Sequence, residues 1–194
     1  MAQFVAFKPN VEVNGETVFA VVDGMGLFKS RALQILAQNG IVDPKPGRWY
    51  SQQAWLDSFR VISETIGSLT LCAIGRKIPE NANFPTDIDS IETALASIDV
   101  AYHMNHRLVG KCLFDPRTGK MSEGIGHYRY DKMGNKKVRM TCNNPYPCEF
   151  DRGIIEAMAQ RFKPAGCLFV SVKHDDDASC RKKGADSCTY HVEW

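Results

Sequence analysis

Cys180-Arg-Lys-Lys-Gly184-Ala-Asp-Ser-Cys188-Thr-Tyr-His-Val-Glu-Trp194 ends the chain, with Asp177 three residues ahead of the first cysteine. Two thiols and a carboxylate bracket a short basic loop that turns at Gly184. The chain then alternates Tyr190, Val192 and Trp194, as a half-buried strand does. A loop held at both ends by thiolates suits a small metal site, since Cys and Asp both ligate zinc and neighbouring Lys and Arg favour the thiolate. The competing reading is two structural cysteines, because free Cys is among the most buried residue types. Spacing leaves both open: zinc knuckles usually pair cysteines about two to four residues apart, and these are wider. Arg181 to Lys183 read as a solvated loop.

Upstream of that loop the chain is strand-rich. Residues 100–106, 124–130, 136–142, 167–174 and 187–194 are strand candidates, divided by turn signals at Asp115-Pro-Arg-Thr-Gly119 and Met133-Gly-Asn135. One helix, 149–162, interrupts them, with Ile154, Ile155, Met158 and Phe162 as its buried side. Its entry, Asn143-Asn-Pro-Tyr-Pro-Cys-Glu149, is stiffened by two prolines and carries Glu149 and Asp151 in the first turn. Cys148 sits there, where a helix start favours the thiolate.

The first half is helical. Ser51 reads as the N-cap of an amphipathic helix to residue 66, whose Trp55, Leu56, Phe59, Ile62 and Ile66 fall three and four apart. Gly67 breaks it, 69–78 form a second helix, 79–85 a loop, and Asp89 with Glu92 a capping box for a helix to 97. Ahead of these, 11–22 read as a hairpin turning at Asn14-Gly15. A helix over 28–38 follows, with Leu33, Leu36 and Ala37 on one face, ended by Asn39-Gly40. Asp43-Pro-Lys-Pro-Gly47 is the clearest linker, dividing a hairpin–helix extension (1–46) from a main domain (47–194). Helices first and a mostly antiparallel sheet later make an α+β fold, with the sheet packed against the helices.

The net charge of +2 gives no electrostatic case for nucleic acid. No apolar run approaches the length of a membrane span, and Met1-Ala-Gln-Phe-Val-Ala-Phe-Lys8 lacks the pattern of a signal peptide. Seven cysteines, an odd number, then point to a reducing cytoplasm and to thiols or metal ligands in place of disulfides.

A helical Gly153-Ile154, a strand, an acidic residue, Cys-x7-Cys with an internal Gly and a closing strand, in that order, resemble the 4-vinyl reductase-type domain over residues 147–194. That domain occurs in phenol-sensing regulators and a bacteriochlorophyll-synthesis protein. It shares a broad fold group with TRAPP trafficking subunits and haem nitric-oxide-binding domains. The resemblance implies an α+β ligand-binding domain, often dimeric, with an apolar cavity between helices and sheet. In the phenol sensors a zinc beside the pocket is held by three cysteines and a glutamate. Carried over, Cys180 and Cys188 match the closing thiols and Asp177 the glutamate. The helical cysteine falls on Glu156, with Cys148 the nearest thiol, so either residue completes the set. His174 and Asp176 are reserve ligands. The haem-binding relatives hold propionates with Tyr-x-Ser-x-Arg; no tyrosine here begins that pattern, so a haem nitric-oxide sensor is not expected.

If 100–106 is a strand, His103 and His106 point to opposite faces and do not chelate jointly. His106 then shares a face with Tyr102 and Met104, and either lines a pocket, meets solvent on a polar strand face, or is a satisfied core histidine. In Gly124-Ile-Gly-His-Tyr-Arg-Tyr130 the glycines mark a bulge or a close approach, with no helix following to make a phosphate loop. No nucleophile elbow or zinc-protease helix is present. The expectation is a cytoplasmic sensory domain without chemistry of its own, a homodimer, binding an apolar or aromatic molecule near Trp55, Phe59, Tyr102, His106 and Tyr128. Alternatives are an enzyme or chaperone for a tetrapyrrole or other hydrophobic pigment, and a trafficking-type scaffold.

Overall fold

Asn14 starts a helix where a hairpin turn is expected. In the computed structural model, which describes residues 3–194, β1 (Val11–Asn14) ends as the Asn14 side chain accepts a hydrogen bond from Thr17 N at 2.9 Å and caps α1 (Gly15–Gly24). Met1 and Ala2, where the signal-peptide reading begins, lie outside the described residues. Asx-Gly serves a cap as well as a turn. Burial decides between them: Val18, Val21 and Val22 pack inside as a helical stripe. Gly15 is needed for closeness, since a Cβ there would stand 2.0 Å from the Lys45 carbonyl oxygen.

After a 3-10 turn, α2 (Lys29–Gln38) buries Ala32, Ile35 and Leu36, while Leu33 and Ala37 face out. The helix is where it is expected, but its buried face is rotated. β2 (Trp49–Ser51) leads into α3 (Gln52–Thr65), capped by Ser51, with Trp55, Leu56, Phe59 and Ile62 fully buried. Gly67, at φ +122°, separates it from α4 (Ser68–Glu80), which runs through Pro79.

The reciprocal cap of α5 (Ile91–Met104) is Ser90 with Thr93, one residue beyond the expected pair. α5 continues to Met104, so 100–106 is mostly helix and not a strand. Ile91, Ala94, Leu95, Ile98 and Tyr102 keep the three–four spacing to its end, where Asn105 Nδ2 donates to the Ala101 carbonyl at 2.7 Å.

β3 (His106–Leu108) and β4 (Lys111–Cys112) complete an antiparallel sheet ordered β2-β1-β3-β4. Strands from both sides of the 43–47 segment thus share one sheet. A two-stranded ribbon, β5 (Phe114–Asp115) with β6 (Lys120–Met121), precedes the main sheet. β7 (His127–Gly134), β8 (Lys137–Asn143), β9 (Ser171–His174) and β10 (Cys188–Glu193) form that sheet in the order β7-β8-β10-β9, all antiparallel.

Between β8 and β9, α6 (Cys148–Arg161) lies against α4 at backbone contact. A Cβ on Gly75 would stand 2.2 Å from the Phe150 carbonyl oxygen, and one on Gly153 2.2 Å from that of Cys72. The class is α+β with antiparallel sheets against helices, as expected. Among the described residues no helix is long and apolar enough to cross a membrane.

Candidate functional site

Three thiols meet where α6 begins over the end of the main sheet. Cys148 is the first residue of α6, Cys188 the first of β10, and Cys180 precedes the 3-10 turn Arg181–Lys183, which Gly184 closes at φ +85°. Their Sγ atoms are 3.0 Å (Cys148–Cys188), 3.7 Å (Cys148–Cys180) and 3.8 Å (Cys180–Cys188) apart, all buried. Zinc–sulfur bonds of about 2.3 Å give tetrahedral S–S edges of roughly 3.8 Å. The fourth corner is His174, placed by the register Tyr190↔His174 between β10 and β9.

His174 Nδ1 lies 2.9 Å from Asp176 Oδ1, while its Nε2 is buried without a hydrogen-bond partner. A carboxylate on one ring nitrogen, with the other left for an ion, is the second-shell arrangement of metal-bound histidines. Burial opposes protonation of His174, but Cys188 and Asp176 outweigh it and raise its pKa. The hydrogen bond from Cys148, together with Arg181, pulls the Cys188 thiol down, while the same contact pushes Cys148 up.

Of the sequence candidates, Cys148, Cys180 and Cys188 are brought together, and the reserve ligand His174 joins them. Asp177 is exposed on the loop beside the cluster. Glu156 lies two turns along α6, paired with Arg76 and Arg152. Asp176 supports His174 and does not face the thiols.

Arg181, read as solvated, is 2% exposed. Its Nη2 pairs with Asp151, its Nη1 reaches the Asn144 carbonyl and side-chain oxygens, and its Nε donates toward Cys188 Sγ at 3.4 Å. Asp151 Oδ1 also accepts from the Tyr128 hydroxyl at 2.5 Å. Burial pushes Asp151 up to about 6 against the pull of Arg181 and Tyr128. Nothing in the basic run distinguishes Arg181 from Lys182 in sequence; the fully buried Asp151 selects it.

Tyr128 is also part of a cavity wall. A cavity of about 510 Å³ lies among α1, α3, α5, α6 and the 81–88 loop, and Trp55, Tyr102, His106, Tyr128, Tyr146 and Phe150 contribute to its lining. Phe59 packs behind Trp55, ring centroids 4.6 Å apart, and does not reach the cavity. Tyr146, not singled out in the sequence, binds His106 Nε2 at 2.6 Å and accepts from Gln52 Nε2 at 3.0 Å. His106 Nδ1 meets the Tyr102 carbonyl at 2.7 Å. Desolvation lowers the His106 pKa to about 4, so the ring is neutral, donating from Nδ1 and accepting at Nε2.

No family model matches the chain, and no curated protein matches it. Solved structures do. An H-NOX protein from S. oneidensis in its Fe(II)NO ligation state superposes with a TM-score of 0.61 at 15% identity, covering 92% of this chain and 97% of that one. The fold is that of the H-NOX domains. An oxygen-binding H-NOX domain related to soluble guanylate cyclases gives 0.59 at 14% identity (92% and 91% covered). The H-NOX domain from Shewanella oneidensis solved by NMR in its Fe(II)CO state gives 0.58 at 17% (91% and 96%). That likeness lies within the expected fold group.

A haem in an H-NOX fold raises the question of a ligand for its iron. The cavity presents one histidine, His106, with both ring nitrogens engaged. His103, on the same helix, packs instead against His127, with centroids 5.1 Å apart. Among the described residues Lys77 is the single Lys or Arg in the lining, with no arginine there for propionates. This donor set does not fit haem. The thiol–imidazole cluster carries the donor types that zinc takes.

Proposed function

We propose that the chain is a small-molecule sensory domain on an H-NOX fold, whose cavity takes an apolar or aromatic ligand other than haem and whose Cys148, His174, Cys180 and Cys188 hold a structural zinc. The observation that carries the reading is the cavity itself. Its volume falls within the usual range for small-molecule sites of about 300–1,000 Å³, and such sites are mostly apolar with a few oriented polar groups. Here the aromatic wall supplies contact area, and His106 and Tyr146, hydrogen-bonded to one another, supply the polar groups. Zinc would tie the start of α6, the end of β9 and the start of β10, contributing folding free energy and no reaction of its own. Support for the sensory role is the fold shared with haem-based gas-binding proteins; support for a different ligand is the missing axial nitrogen.

The test titrates 2-naphthol and, separately, hemin into the purified chain, following tryptophan fluorescence and the Soret region. Saturable naphthol binding, weakened at least tenfold by Ala101→Trp in the cavity lining, and no sharp histidine-ligated Soret band are expected. Absence of naphthol binding, or a stoichiometric haem complex abolished by His106→Ala, would overturn the reading.

A further inference from the structure

Two carboxylate–histidine pairs of equal spacing converge away from the thiol cluster: Asp99 with His103 on α5, and Glu123 with His127 at the entry to β7. A spacing of four places Asp99 and His103 on one helix face. Positive φ at Gly124 (+136°) and Gly126 (+79°) turns the 123–127 segment so that Glu123 Oε2 lies 3.1 Å from His127 Nε2. Across the gap His127 Nδ1 is 2.9 Å from Asp99 Oδ2, and His103 Nδ1 is 3.6 Å from Asp99 Oδ1. One donor atom from each of Asp99, His103 and His127 falls within 4.8 Å of the other two. Metal–nitrogen and metal–oxygen bonds of about 2.1 Å put neighbouring donors roughly 3.0–3.4 Å apart, an edge that the 2.9 Å His127–Asp99 separation approaches.

A second observation concerns His103, which is fully buried and whose Nε2 has no hydrogen-bond partner. Buried polar atoms are ordinarily satisfied. Its Nδ1 donates to the Asp99 carbonyl oxygen at 2.8 Å, which puts the lone pair on the unpartnered Nε2. Asp99 sets a carboxylate between the two imidazoles, the negative charge that a dication needs.

We propose that Asp99, His103 and His127 bind a divalent first-row transition ion such as cobalt, nickel or zinc. A sulfur-free imidazole–carboxylate set suits these ions. The ion would clamp α5 to β7 next to the cavity wall, because Asp99 Oδ1 also accepts from the backbone N–H of Tyr128 at 2.9 Å.

The test dialyses the full chain, pre-incubated with one equivalent of zinc, against cobalt(II), reading metal content by elemental mass spectrometry together with the absorption spectrum. One equivalent of cobalt should bind with no thiolate charge-transfer band. It should be weakened at least tenfold in Asp99→Asn and in His127→Gln, both checked for folding by far-UV circular dichroism. Cobalt that enters the thiol cluster announces itself by charge transfer, so failure of the zinc assignment reads differently from failure here. No sulfur-free cobalt site in the wild type, or one that persists undiminished in His127→Gln, would overturn the proposal.

Discussion

His106 Nε2 stands 2.6 Å from the Tyr146 hydroxyl, and that single contact, with Nδ1 on the Tyr102 carbonyl, leaves the cavity histidine no free nitrogen. Burial of that ring gives it a part in the pH dependence of stability. The unfolded imidazole titrates near 6.5 and the folded one near 4. The unfolded state therefore takes up a proton that the folded state refuses, and the stabilisation present above pH 6.5 is lost as pH falls toward 4. Linkage puts the loss at about 3 kcal/mol. Urea unfolding between pH 7 and 4 should show it, and His106→Gln should flatten the profile over that window.

The α4–α6 contact depends on two glycines. Alanine improves intrinsic helix propensity by about 1 kcal/mol, but at Gly75 or Gly153 its Cβ would collide with a carbonyl oxygen at 2.2 Å. The clash outweighs propensity, and each substitution should cost about 2–3 kcal/mol net, measured as a lower urea midpoint.

Arg181 and Asp151 are both buried and rely on one another. Arg181→Met strands a carboxylate and should destabilise by about 3–5 kcal/mol. Adding Asp151→Asn should recover part of that loss, and additive effects of the two changes in a double-mutant cycle would contradict the coupling.

The Asn14 cap distinguishes a helix start from a hairpin. Asn14→Ala removes the bond from Thr17 N and the contact with Asn105, and should cost about 1 kcal/mol or somewhat more. Asn14→Gly should cost only a few tenths more than wild type through the cap itself. A turn-forming Asn-Gly pair would show no such dependence on the cap side chain.

The sequence made some of this legible for clear reasons. α3 is readable because Trp55, Leu56, Phe59 and Ile62 all point inward and Ser51 caps them. α1 is not, because valine-rich alternation around Asn-Gly satisfies a strand pattern equally well, and only packing against α4 separates the two. The end of α5 misleads for the same reason: Tyr102-His-Met-Asn-His106 alternates, yet His103 and Tyr102 are both buried on one helix. At the thiol cluster, Cys180 and Cys188 are visible as a spaced pair. Cys148 and His174 join them through the α6 start and the β9–β10 register, which are long-range pairings that no local pattern carries. Glu156 sits where the alignment through Gly153 puts it, but α4 supplies Arg76 there and claims the carboxylate. The cavity aromatics are legible as an apolar set; that Tyr146 occupies the lone pair of His106 is visible only in three dimensions.

Cobalt(II) spectroscopy of the metal-stripped chain tests the thiol–imidazole assignment most directly. The first equivalent should give an intense tetrahedral d–d envelope and a thiolate-to-cobalt charge-transfer band, both displaced by zinc. Cys148→Ser should weaken the charge transfer by about a third, and His174→Ala should shift the d–d envelope while leaving the three-sulfur charge transfer in place. A first equivalent without charge transfer, or a spectrum indifferent to Cys148→Ser, would contradict it and leave the three thiols as buried structural cysteines.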